Sequence, residues 1–169
     1  MLLESKRLII RDAQVSDAPF YFKLFNDPDW IKFISDKNLK SIEETEKYLE
    51  NILLKNLQLG GLGFFTVILK ETKKPIGTST ALQRDKVEYI DIGYGFLPEG
   101  RGKGYATEAT KLIIEYVRNK FQQEKVLAFT MPQNKASQKL LKKLGFTYVG
   151  LQNIFDDGED SVFEYTFKI

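Results

Sequence analysis

The sequence predicts a mixed α/β domain: a mostly antiparallel sheet of six to seven strands, a central parallel pair that splays apart, and flanking helices. Three observations predict it. Short β-branched and aromatic runs alternate with amphipathic stretches in the order β-αα-βββ-α-β-α-ββ. Two of those runs, 64–70 and 76–82, flank the polar turn "ETKKP" as a hairpin, so the sheet starts antiparallel. Strand 87–96, helix 105–120 and strand 125–131 then form a βαβ unit, which should be parallel with a right-handed crossover. With 169 residues, 43% of them hydrophobic and 13% aromatic, the chain suits one domain over residues 1–169.

Each element has a local reason. "RLIIRD" (7–12) is a short β-branched first strand. Ser16 is placed to cap a helix running to about Asn26, with Phe20, Leu24 and Phe25 on one face. In "SIEE", Ser41 and Glu44 form a capping box, and the helix they open carries Ile42, Leu49, Ile52 and Leu53 until "GGLG" (60–63) breaks it. Strand 87–96 contains Gly93 and Gly95, which mark a bulge or a close approach and would splay it from its parallel partner. Pro98 ends its ladder. The next helix spaces Ala109, Leu112, Ile113, Tyr116 and Val117 along one face. Helix 134–145 has Asn134 as N-cap and Gly145 just past its end. Strands 146–151 and 161–169, joined by the acidic turn "DDGED", close the chain.

Composition removes several function classes. There is no cysteine, hence no structural disulfide and no thiolate metal site. There is no histidine, which removes the commonest general base and the commonest metal ligand. No carboxylate clustering suggests a metal, and none is expected. The 25 basic and 23 acidic residues, net +2, make no case for nucleic acid. No apolar run approaches a membrane span, and the charged N-terminus is unlike a signal peptide, so a cytoplasmic chain is expected.

The informative stretch is "EGRGKGYATEA" (99–109), glycines and positive charge leading into a helix. A helix N-terminus presents unpaired N–H groups, and glycines let the backbone close around an anion. The site follows a parallel strand, where open α/β sheets bind ligands. A phosphate or pyrophosphate fits. A Walker loop does not, because Gly104 is followed by Tyr105 and Ala106, and the spacing of a dinucleotide fingerprint also fails. The plainer alternative is a glycine loop that only turns the chain. Gly93, Gly95, Pro98 and a second helix N-terminus at Asn134 favour the ligand.

Arg101-x-x-Gly104-x-Ala106 resembles the Q/R-x-x-G-x-G/A motif of the GCN5-related N-acetyltransferases, and the element order resembles that fold over nearly the whole chain. "RLIIR", "DIGYGFLPEGRGKGYATEA" and "NKASQKLLKKLGF" resemble the landmarks of its RimJ/RimL-type branch. The resemblance implies acetyl-CoA as cosubstrate. It puts backbone N–H groups of Arg101, Gly102, Lys103, Gly104 and Ala106 around the pyrophosphate, with Tyr105 in the same segment. The pantetheine would pair with backbone at Phe96 and Leu97, and Asn134 would bond it or cap the adjacent helix.

Acetyl transfer to an amine needs a base and a proton for the departing thiolate. Asp91, before Ile-Gly-Tyr, resembles the family's acidic residue and is the first candidate base; Glu88 is the rival, and either could be a solvated strand charge. Many family members carry a tyrosine seven residues after the motif asparagine, where this chain has Leu141. The RimJ/RimL-type pattern has a serine three after it, and Ser137 is there, either as the group meeting the CoA sulfur or as a first-turn residue bonding its own backbone. Glu108 suits the helix dipole. Trp30 is a wall of the acceptor pocket or core. Asp27, Asp29 and Asp36 are acceptor contacts or caps. The resemblance thus implies an N-acetyltransferase acting on a peptide α-amino group or a small amine, as monomer or homodimer. The alternatives are a CoA-binding module without catalysis and a mononucleotide-binding domain.

Overall fold

In the computed structural model, which describes residues 1–168, the chain opens with an antiparallel pair, β1 (Leu2–Glu4) and β2 (Leu8–Asp12). Ile169, the last residue of the expected strand 161–169, lies outside the described residues. Helices α1 (Ala18–Phe25), α2 (Pro28–Phe33) and α3 (Ile42–Gln58) follow, then strands β3 (Gly63–Leu69), β4 (Lys74–Leu82) and β5 (Asp91–Phe96). The chain continues through α4 (Tyr105–Phe121), β6 (Lys125–Thr130), α5 (Lys135–Leu144), β7 (Thr147–Gln152) and β8 (Asp160–Thr166). The strands form one sheet in the order β1-β2-β3-β4-β5-β6-β8-β7. Among the described residues only β5 and β6 pair in parallel. Among the described residues no helix is long and apolar enough to cross a membrane.

Several boundaries differ from expectation, each for a local reason. The described sheet has eight strands rather than six to seven, because β1 is three residues held only by its register with β2. Ser16 caps nothing: a 3-10 turn over Val15–Asp17 precedes α1, closed by a capping box between Gln14 and Asp17. Residues 87–90 alternate like a strand but do not join the ladder. Side chains take part of their backbone bonding, with Gln83 Nε2 donating to Val87 O at 2.6 Å and Ile90 N donating to Gln123 Oε1 at 2.9 Å, while Val87 N turns back onto Arg84 O. At α3 half of the expected capping box forms: Ser41 Oγ accepts from Glu44 N at 3.0 Å, but Glu44 Oε2 reaches back to Lys40 N at 2.7 Å, one residue before the cap.

The two sheet faces carry separate cores. On one, the apolar stripe of α4 (Ala109, Ile113, Ile114, Val117) packs on Phe65, Val67 and Ile92. On the other, Tyr21, Leu24 and Phe25 of α1 gather with Trp30 of α2 and Leu49 of α3. Each such large side chain stabilises the fold by roughly 1.5–3 kcal/mol through burial. A buried polar chain fastens α1 to the sheet. Arg11 holds Asp17 with two bonds of 2.8 Å, Thr66 Oγ1 donates to Asp17 at 2.9 Å, and Tyr21 OH lies 3.1 Å from both Thr66 and Thr78 hydroxyls.

The parallel pair makes the opening that matters. Asp91 is in register with Leu127, and Leu127 N donates to Ile90 O at 2.9 Å. Beyond that point β5 stays zipped to β4 through Phe96 while no register links it to β6. The splay comes without the bulge expected at Gly93 and Gly95, since β4 and β5 pair one-to-one from Gly77↔Phe96 to Leu82↔Asp91.

Candidate active site

A cavity of about 460 Å³ occupies the mouth of the splay. Trp30 of α2, Gly95 of β5, Gly104 before α4 and Ser137 of α5 all line it. Four segments meet there, α2, β5, the loop into α4, and α5, because β5 and β6 stop pairing in the middle of the sheet.

The wall toward α4 is backbone. Gly102 and Gly104 have φ of +73° and +80°, the left-handed region that side chains resist. Gly104 is the N-cap and offers no side-chain acceptor, so the first-turn N–H groups of α4 point outward unsatisfied. The N–H groups of Gly102, Lys103 and Gly104 also find no acceptor among the described residues. This is a nest of donors at a positive dipole end. It is braced from behind by Arg7, whose Nη1 donates to Lys103 O at 2.9 Å, whose Nε donates to Glu108 at 2.7 Å, and whose guanidinium lies 4.4 Å from the Tyr105 ring centre. Glu108 also accepts from Ser5 Oγ at 2.6 Å and Arg7 N at 2.9 Å. Burial would raise its carboxyl, but the Ser5 and Arg7 hydrogen bonds prevail and hold it below the ordinary value.

The predicted site residues do not all join this nest. Phe96, Arg101, Gly102, Gly104, Tyr105, Ala106, Asn134 and Ser137 reach the cavity, whereas the Lys103 side chain is exposed beside it. Leu97 departs from expectation. Its N–H donates to Ile76 O at 2.9 Å and its C=O accepts from Gly100 N at 2.8 Å, so neither is free for a ligand. By ladder alternation the N–H and C=O of Tyr94 and Phe96 point away from β4, into the splay, where the Phe96 C=O accepts from Arg101 Nε at 2.9 Å and the others are open. The Arg101 N–H is likewise taken, by Pro98 O at 3.2 Å. Asn134 is the cap of α5, its Oδ1 accepting from Ser137 N at 3.1 Å.

The two candidate proton carriers lie on opposite faces of β5. A Cβ on Gly95 would run into the Trp30 ring, so Gly95 faces α2, and Asp91 shares that face by the period of two. Asp91 is 3% exposed and held bidentately by Arg84, at 2.7 and 3.2 Å. Burial pushes its carboxyl above the ordinary value, and Arg84 offsets only part of that. The Arg84 guanidinium is itself backed by the Phe155 ring at 4.7 Å. Asp91 does not line the cavity; Glu88, the rival, is exposed and lines a different one of about 290 Å³.

Ser137 lies on the other face. Its hydroxyl is 2.8 Å from the hydroxyl of Tyr94, a residue that sequence reasoning passed over. The signal was available, since alternation places Tyr94 with Ile92 and Phe96 on the face toward α4 and α5. Burial lifts the Tyr94 phenol to about 12, so it stays protonated at neutral pH. Leu141, where many relatives carry a tyrosine, is core at 1% exposure. Trp30 is both core and wall: 6% exposed, tilted at 54° against the Phe25 ring with centres 5.0 Å apart, and lining the cavity.

The same fold occurs in known proteins. The family model for the acetyltransferase (GNAT) domain matches residues 7–147. An uncharacterized N-acetyltransferase, p20, from Bacillus licheniformis is 26% identical over 170 residues, covering 99% of this chain and 94% of its own. A GNAT-family acetyltransferase structure from Bacillus anthracis superposes with a TM-score of 0.81 at 22% identity, over 98% of both chains. RimL, a ribosomal alpha-N-protein acetyltransferase solved in complex with coenzyme A, superposes with a TM-score of 0.82 at 17% identity, over 98% of both chains. With the family model spanning the splayed strands, the donor nest and α5, the chain belongs to the acetyltransferase (GNAT) domain family.

Proposed function

We propose that residues 1–169 act as an acetyl-CoA-dependent N-acetyltransferase whose acceptor is a primary amine. The observation that carries this reading is the nest of unpartnered N–H groups at Gly102, Lys103 and Gly104, opening onto a strand edge where the backbone groups of Tyr94 and the N–H of Phe96 are free while the Phe96 carbonyl is held by Arg101 Nε. A pyrophosphate fits the nest and the α4 dipole, with Lys103 beside it, and an amide-bearing arm fits the free edge as an added strand.

Acetyl-CoA supplies an activated thioester carbonyl. The amine nitrogen forms a bond to that carbon, the carbon–sulfur bond breaks, and two protons must move. Asp91, on the α2 face, takes the amine's proton through water; its raised carboxyl makes it a better base than an ordinary aspartate. On the α5 face, Ser137 Oγ gives a proton to the sulfur and is resupplied by Tyr94 OH at 2.8 Å. The acceptor therefore enters from the α2 side, where Trp30 forms a wall. The RimL neighbour's substrate suggests a peptide α-amino group as the first acceptor to try; a small amine fits the same chemistry.

The test is thermal stabilisation by acetyl-CoA, with ATP and NAD as controls, followed by an amine screen read by thiol release. A ligand at a hundredfold excess over its dissociation constant stabilises by about 2.7 kcal/mol. Stabilisation by acetyl-CoA with turnover of an amine supports the reading. Stabilisation without turnover on any amine points to a CoA-binding module, and stabilisation by ATP or NAD alone overturns it.

A further inference from the structure

Arg101 opens the loop motif, yet its side chain faces away from the anion nest. Its Nη2 donates to Asp27 Oδ1 at 2.5 Å, its Nη1 to Asp29 Oδ2 at 2.8 Å, and its Nε to Phe96 O at 2.9 Å. With its backbone N–H on Pro98 O, every group the residue offers along these directions is engaged within the protein. Asp27 is 9% exposed and is also the N-cap of α2, accepting from Asp29 N and Trp30 N at 3.2 and 3.4 Å. One guanidinium thus joins the end of β5 to the first turn of α2. A second ion pair runs in parallel, from Lys23 of α1 to Glu99 of the same turn at 3.1 Å.

The consequence falls on Trp30. It sits in the α2 turn that Asp27 caps, and its ring fills the space above Gly95 where any Cβ would collide. Helix α2 has only six residues, too short to hold itself in water. Its position over the cavity is set by this clasp and by the Trp30 contact. Asp27 and Asp29 are thereby neutralised, which removes them as receptors for a cationic acceptor.

We propose that Arg101 is a positioning residue: its side chain docks α2 and seats Trp30 on Gly95, so that the loop which takes the cofactor also sets the acceptor wall. Describing that wall as acceptor-facing rests on the acetyltransferase reading; the clasp itself does not. Lysine should replace Arg101 only in part, because a point charge cannot span two carboxylates and a carbonyl as the planar fork does.

Trp30 is the only tryptophan in the sequence, so its fluorescence reports the docking of α2 directly. The experiment compares Arg101→Met, Arg101→Lys and Asp27→Asn/Asp29→Asn with the wild type; asparagine keeps the cap while removing the charge. Trp30 emission and acrylamide quenching are read without ligand, coenzyme A affinity by calorimetry, and folding by circular dichroism. The expected result is a red shift and stronger quenching in Arg101→Met, the same in the double aspartate variant, and an intermediate value in Arg101→Lys. Coenzyme A affinity in the double aspartate variant should change by less than about threefold. The proposal is overturned if Arg101→Met weakens coenzyme A by about tenfold or more with Trp30 unmoved, since Arg101 would then be a phosphate ligand. It is also overturned if the folded double aspartate variant keeps the wild-type emission. Should the wild type bind no coenzyme A, the acetyltransferase reading fails, while the emission readout still decides the clasp.

Discussion

Two walls face each other across the 460 Å³ cavity, and they are made of different material. The wall at α4 is backbone: unpartnered N–H groups held open by Gly102 and Gly104 at positive φ. The wall at α2 is side chains: Trp30 on Gly95, with Asp27 and Asp29 fastened to Arg101. A backbone wall recognises what many proteins share, a phosphate, and needs only the right dihedral angles. A side-chain wall depends on residues brought from distant parts of the chain.

The strongest way to break the comparison is at Gly104. A valine there must adopt φ near +80°, with its Cβ in van der Waals contact with Arg7 Nη2 at 3.4 Å. The backbone cost is roughly 1–2 kcal/mol, but the donor nest is lost. Gly104→Val should weaken coenzyme A binding by about a hundredfold or more, read by calorimetry. It should leave Trp30 emission unchanged. A variant that binds coenzyme A normally would mean the backbone wall is not the cofactor site.

Next comes Asp91. As the base, its replacement by asparagine should lower kcat by roughly a hundredfold or more, within the usual range for general base catalysis. Its carboxyl is raised by burial, so the wild-type rate should fall on acidification from a pH above the ordinary carboxylate range. Asp91→Asn should abolish that limb. If the variant loses stability but keeps its rate and limb, Asp91 only anchors Arg84.

The difference between the walls also explains what could be read from the sequence. Glycines in "GRGKG" and the cap at Asn134 act through local backbone geometry, so spacing alone revealed them. Helix α2 did not show itself, because six residues hold less than two turns of apolar period and its stability comes from Arg101, 68 positions beyond Phe33. The one local hint was Asp27 before Pro28, a cap followed by a first-turn proline. Residues 87–90 misled in the opposite sense. Their alternation suits a strand, but Gln83 takes the carbonyl of Val87 and Gln123 the N–H of Ile90, and a sequence does not show which side chain will arrive from 33 residues away. Tyr94 was legible by alternation, but its meaning depended on meeting Ser137, 43 residues later.

The α1 side of the sheet is also fastened by a buried charge, at Asp17. Burial raises this carboxyl, but the Arg11, Gln14 and Thr66 bonds outweigh it and the net position is lowered. A carboxyl lowered in the folded state contributes stability that is present above its unfolded value and lost as pH falls through its folded one. Stability to urea should therefore decline as pH drops below about 4. Asp17→Asn should cost about 1–3 kcal/mol at neutral pH, with a flatter acid limb. Unchanged neutral stability would mean that apolar packing alone holds α1 to the sheet.

The smallest expected effect is at Tyr94, and it tests whether the two faces of β5 divide the proton work. Phenylalanine fits the same space and removes only the hydroxyl that meets Ser137. If Tyr94 resupplies Ser137, Tyr94→Phe should lower kcat by about tenfold, a cost of roughly 1.4 kcal/mol, with little change in coenzyme A affinity. Asp91 acts on the other face, so the acid limb of the pH profile should stay in place. Since the phenol titrates near 12, the wild type should show no loss of rate from its ionisation up to about pH 10. Combined with Ser137→Ala, the second substitution should add almost nothing, because both belong to one proton path. Full additivity would separate them, leaving Ser137 as the α5 first-turn residue that Asn134 caps and Tyr94 as packing for α5.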